Sequence, residues 1–131
     1  MDENQARIVR MRDIQLDESL FRNYLTGTVL DELLCSYKGL PKGVNYMVIG
    51  DPGVGKTTII LDMLADIRLK NPGVRVLFVS AEMNEIDLAV YVKRFPKFQD
   101  IDILFVESEF DDNCQSHNYH TLTEILDRGW D

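Results

Sequence analysis

A chain of 131 residues, 45% hydrophobic and with a formal net charge of -8, is long enough for one modest core and too short for two. It contains no run near the roughly 18 apolar residues of a membrane span, and its start, MDENQARIVRMRD, has no apolar centre to serve as a secretory signal. The acidity opposes non-specific attraction to nucleic acid, while Cys35 and Cys114, far apart and in no C-x-x-C pair, point to a reducing, cytoplasmic setting rather than to a disulfide framework or a four-cysteine zinc site.

Residues 1–36 read as a helical lead-in. Leu16, Leu20, Phe21, Tyr24 and Leu25 recur at three- and four-residue spacing with Gly27 as a stop, and a second short helix is predicted over Val29 to Cys35. The turn formers of KGLPKG, Lys38 to Gly43, mark a boundary before a second unit over 37–131. There the pattern alternates. VNYMVIG, ending at Gly50, predicts a strand buried on both faces, and Ile59, Ile60, Met63, Leu64 and Ile67 give one stripe of a helix that NPG at 71–73 stops. VRVLFVS, 74–80, is the next predicted strand. Asn84 is placed to cap the following helix, with Met83 and Leu88 as a hydrophobic staple, and Pro96 requires an end by Phe95. IDILFVES, 101–108, is a third predicted strand, 109–120 a polar loop, and LTEILDRGW a last short helix. Strands and helices alternating in this way predict an α/β fold with right-handed crossovers and a mainly parallel sheet.

Gly50-Asp51-Pro52-Gly53-Val54-Gly55-Lys56-Thr57 fits G-x-x-x-x-G-K-[ST] in full, with Thr58 following. Glycines let a backbone bend around a phosphate with its N–H groups turned inward, and a helix start adds a favourable dipole. Lys56 is then the candidate for the β- and γ-phosphates, and the Thr57 hydroxyl for Mg²⁺. The position between a predicted strand and a predicted helix is the context this motif requires, so a nucleoside triphosphate with Mg²⁺ is the expected ligand.

KGLPKGVNYMVIGDPGVGKTTIILDMLADI, followed by VRVLFVSAEM and ILFVESEF, resembles the first half of a RecA-like P-loop ATPase, in the branch of RadA and the DnaB helicase. The phosphate loop is common to many families; the Ser-x-Glu of SAEM narrows the choice. The resemblance runs from about Gly39 onward. It implies a three-layer fold, a homo-oligomer, contact with DNA, and work in recombination, repair or replication. It also implies that Glu82, just beyond the 74–80 strand, orients or deprotonates the water that attacks the γ-phosphate. A carboxylate at the carboxyl edge of a parallel sheet lies where ligands gather, although a solvated acid near a helix start is the plainer alternative.

Weaker signals remain. Cys114, His117 and His120, with Asp111 and Asp112 nearby, carry zinc donor types at no established zinc spacing, and a polar surface loop is the favoured reading. Arg7, Arg10 and Arg12 are candidates for nucleic acid or a neighbouring subunit, but interleaved with Asp2, Glu3 and Asp13 they read as a solvated face. Glu107 and Glu109 end the third predicted strand and are candidates for the nucleotide edge, with an ordinary exposed strand terminus the favoured reading.

The family pattern calls for a further strand whose acid holds Mg²⁺ through water. The sequence stops at DRGWD, where that strand is expected, and Asp102 begins its strand at the wrong edge to replace it. The expectation is therefore an amino-terminal half-domain that binds nucleotide weakly and does not turn it over alone. Two other functions stay open: an ATP-binding regulatory or assembly module without hydrolysis, and a P-loop kinase related to the clock-kinase branch.

Overall fold

The computed structural model describes residues 6–15 and 22–131. The helix expected around Leu16 to Leu25 lies mostly outside them, as do Asp2 and Glu3; Tyr24 and Leu25 fall in an irregular segment where Tyr24 makes an antiparallel bridge to Leu40. In chain order the described elements are a 3-10 turn at Met11–Asp13, α1 (Leu30–Leu34), α2 (Lys56–Lys70), β1 (Leu77–Ser80), α3 (Glu85–Arg94), a 3-10 turn at Pro96–Phe98, β2 (Asp102–Phe105), α4 (Val106–Glu109) and α5 (Gln115–Asp127).

The fold is α/β with a small parallel sheet. β1 and β2 pair in the register Leu77 with Asp102 through Ser80 with Phe105, and α3 forms the crossover between them. Both strands are shorter than predicted, β1 at its start and β2 at both ends. Beyond Ser80 the chain turns away towards α3, so the residues after Phe105 lose their ladder partner and wind into the single turn of α4 instead. Glu107 and Glu109 accordingly lie in α4, not at the end of a strand.

The strand predicted over 44–50 does not join the sheet. This segment pairs with neither β1 nor β2, and Met47 and Ile49 are 83% and 84% exposed. An apolar run records the need for burial, but a strand also needs a neighbour to take its N–H and C=O groups, and none of the described strands lies beside it. The expected three strands are thus two.

The core lies between α2, α3 and the chain leading into β2. Leu61, Ala65, Leu88, Phe98 and Ile101 form its buried centre. Leu61 and Ala65, one helical turn apart, are the deepest positions of α2, whereas Ile59, placed in the predicted stripe, is 41% exposed. The start of α3 follows the expected local chemistry. The Asn84 side chain accepts from the Asp87 N–H at 3.0 Å while the Asp87 carboxylate accepts from the Asn84 N–H at 3.1 Å, a reciprocal capping box. Leu88 is buried and Met83 packs against the same core, as a staple requires. Lys97 ties the turn after α3 back to α2 through ion pairs with Asp62 and, at 3.3 Å, Asp66. The hydrogen bond to Asp62 is the main reason its ammonium is held above the ordinary lysine value, with burial opposing.

α5 begins seven residues before the predicted final helix and replaces much of the expected loop. Its inward positions are Asn118, Thr121 and Ile125, spaced for a helix but mostly polar, so a count of apolar residues misses the first turns. Asn118 also closes the preceding loop, accepting from the Asp111 N–H at 2.8 Å and donating to the Asp111 carbonyl at 2.7 Å.

The amino-terminal part of the described chain is fastened to α2 and α1 by side chains. Asn71, at the end of α2, accepts from the Leu25 N–H at 3.2 Å and donates to the Leu25 carbonyl at 2.7 Å. Asp31 is buried in α1 and accepts from the Thr26 N–H and hydroxyl, both at 2.7 Å, and from the Gly27 N–H at 2.9 Å. Burial pushes its carboxyl up, but these hydrogen bonds outweigh burial and hold it below the ordinary value of 3.8.

Candidate functional site

The turn from Gly50 to Gly55 opens directly into α2, whose first residue is Lys56. Gly53 and Gly55 have φ of 79° and 99°, the left-handed region that an L side chain resists, while a Cβ on either would meet nothing within 4 Å. The demand for glycine there comes from backbone conformation, not from crowding. Gly50 differs, because a Cβ there would approach Val54 Cγ2 to 3.0 Å. Since the first N–H groups of an α-helix have no intrahelical acceptor, those of Lys56, Thr57 and Thr58 remain available at the mouth of the turn. The Lys56 side chain folds back across it, donating to the Gly50 carbonyl and, at 3.1 Å, to the Asp51 carbonyl.

β1 delivers the second part. Ser80, at its carboxyl end, is buried, and Glu82 follows two residues later on an exposed turn. Thr57, Ala81 and Glu82 line one open depression of about 250 Å³, so the motif threonine and the candidate carboxylate are brought together at the carboxyl edge of the sheet. An adjoining depression of about 320 Å³ is lined by Met83, Asn84, Phe105 and Glu107 among others, which places Glu107 on the same edge. Asp102 stands at the amino end of β2.

The other sequence candidates lie elsewhere. Cys114 precedes α5, and His117 and His120 occupy its exposed first turns, with His117 Nε2 at 3.1 Å from the Glu109 carbonyl. Among the described residues no three histidine, cysteine or acidic side chains group as a metal site. Arg7, Arg10 and Arg12 are exposed in the described 6–15 segment. Among the described residues, no helix is long and apolar enough to cross a membrane.

Ser80, which the sequence offers only as the first residue of Ser-x-Glu, lines the same depression as Thr57 and Glu82.

Fold and site together define an α/β chain in which a glycine-rich turn opens a helix beside the carboxyl edge of a parallel strand pair. Over 91 residues the chain is 31% identical to the DNA repair protein RadA of Pseudomonas aeruginosa, an alignment that covers 69% of this chain and 18% of that protein. The chain therefore spans less than a fifth of the length of this curated relative, and the similarity supports the RecA-like relationship loosely. No family model matches the chain, and no solved structure matches it.

Proposed function

We propose that this chain binds ATP with Mg²⁺ and belongs to the motor of a RecA-like ATPase serving DNA repair, recombination or replication in the cytoplasm. The observation that carries the reading is the complete phosphate-loop sequence leading directly into a 15-residue helix, with the motif threonine facing a depression shared with Glu82. The residues suit the ligand. Left-handed glycines shape the turn, free N–H groups and an ammonium group supply charge-matched donors for phosphate oxygens, and the depression is open to solvent. Mg²⁺ keeps most of its shell as water and phosphate oxygen, so one protein hydroxyl, from Thr57, is an adequate contribution.

In this reading Lys56 and the N–H groups of Gly53 and of residues 55–58 hold the phosphates, Thr57 the metal, and Glu82 faces the γ-phosphate, while the Val54 N–H closes the turn onto the Asp51 carbonyl. Contact with DNA is part of the same proposal, supported by the name of the relative; assembly into a homo-oligomer is part of it through the family resemblance of SAEM alone.

Titration with a fluorescent ATP analogue in the presence of Mg²⁺ tests the assignment. Lys56→Ala removes charge-assisted hydrogen bonds and is expected to weaken binding by about 2 kcal/mol, or about 30-fold. Equal affinities for wild type and variant would refute it.

A further inference from the structure

The structure assigns Ser80 as a positioning residue that fixes Glu82 at the nucleotide edge. This rests on the ATP-binding reading above and adds the residue through which the carboxylate is held.

Ser80 is 4% exposed. Its hydroxyl donates to the Met83 carbonyl at 2.7 Å and accepts from the Met83 N–H at 3.3 Å. One side chain thus closes the four-residue loop 80–83 from both sides, doing what a main-chain turn bond does in an ordinary reversal. The loop is also anchored at each end. Ser80 sits in the β1 ladder opposite Phe105, and Met83 packs on the core immediately before the Asn84 cap. Only Ala81 and Glu82 lie between these anchors, and both line the depression that Thr57 shares. Without the hydroxyl the anchors remain, but the segment between them gains freedom and the Glu82 carboxylate loses its fixed place beside the depression.

A carboxylate held near the γ-phosphate repels it, so the ratio of MgATP to MgADP affinity reads the position of Glu82 without requiring turnover. Both ligands are titrated against wild type, Ser80→Ala, Ser80→Thr, Glu82→Gln and Ser80→Ala/Glu82→Gln, each checked by a thermal melt. Glu82→Gln is expected to shift the ratio towards ATP by about threefold to tenfold, the range for removing one like charge at a partly solvated site. Ser80→Ala is expected to shift it in the same sense by about twofold or more, while Ser80→Thr, which keeps a hydroxyl, restores the wild-type ratio. In the Glu82→Gln background Ser80→Ala should change the ratio no further, since the two act through one carboxylate.

A purely structural Ser80 would weaken both nucleotides alike in either background and leave their ratio unchanged, whatever it does to the melting temperature. That result overturns the proposal, as does an unchanged ratio in Glu82→Gln. Should Ser80→Ala fail to fold, Ala81→Gly loosens the same turn at an exposed position; it must shift the ratio towards ATP, and no shift is again a refutation. Lys56→Ala, run alongside, separates the two levels: undiminished ATP binding there sinks the nucleotide reading itself, whereas weakened binding with a Ser80 effect that persists without Glu82 sinks only the positioning role.

Discussion

Leu61→Ala should remove a large share of the stability of this domain, and the structure supplies the magnitude. Leu61 is 2% exposed and meets Ala65, Leu88, Phe98 and Ile101 at the centre of the core. Truncation deletes about three carbon groups, a transfer loss of about 2.4 kcal/mol at about 0.8 kcal/mol each. A residual cavity of about 50 Å³ adds about 1.2 kcal/mol, giving about 3.5 kcal/mol in all. Domains of this kind are stable by about 5–15 kcal/mol, so the variant should remain folded with a markedly lower urea midpoint. Ile59→Ala is the internal control. It lies two residues earlier on the same helix but is 41% exposed, and should cost about 1 kcal/mol or less. Urea unfolding followed by circular dichroism, with slopes compared between variants, measures both. A loss below about 1 kcal/mol for Leu61→Ala, or equal losses for the pair, would show that α2 does not pack through the Leu61 face, because burial is the whole basis of the difference.

Asp31→Asn should destabilise by about 1–3 kcal/mol at neutral pH, since an amide cannot accept all three hydrogen bonds now made to the carboxylate. The carboxyl is lowered on folding, so its contribution is complete above the ordinary value of 3.8 and disappears as pH falls through the lower folded value; the gap between wild type and variant in urea melts should close only in acid. Asn84→Ala removes one half of the capping box and should cost about 1 kcal/mol by the same assay, with Asn84→Asp nearly neutral. Thr57→Ala is expected to reduce the Mg²⁺ dependence of nucleotide binding while leaving binding in EDTA unchanged; an unaltered metal dependence in calorimetric titration would remove Thr57 from the metal shell.

What the sequence disclosed was chemistry set by neighbours along the chain. The need for glycine in the phosphate turn, the cap at Asn84 with its Met83 and Leu88 staple, and the stop after Lys70 depend on a few consecutive residues and could be read directly. The missed features depend on distant partners. The 44–50 segment has the composition of a strand but no neighbour among the described strands, and the register of β1 with β2 shortened what looked like an eight-residue strand to four. α5 went unread at its start because Asn118 and Thr121 occupy inward positions that an apolar count assigns to solvent. At the site, the motif residues were visible one by one, while the shared depression of Thr57 and Glu82 is a product of how β1 returns beside α2.

The level register of the two strands has a consequence for how such a chain can vary. Because Ser80 stands opposite Phe105, the segments that leave β1 and β2 both depart from one rim, while the α3 crossover returns to the opposite rim before β2 begins. Length changes in residues 106–114 therefore leave the alignment of the strands intact. Residues 81–84, by contrast, both line the depressions and begin the crossover, so change there touches rim and core together.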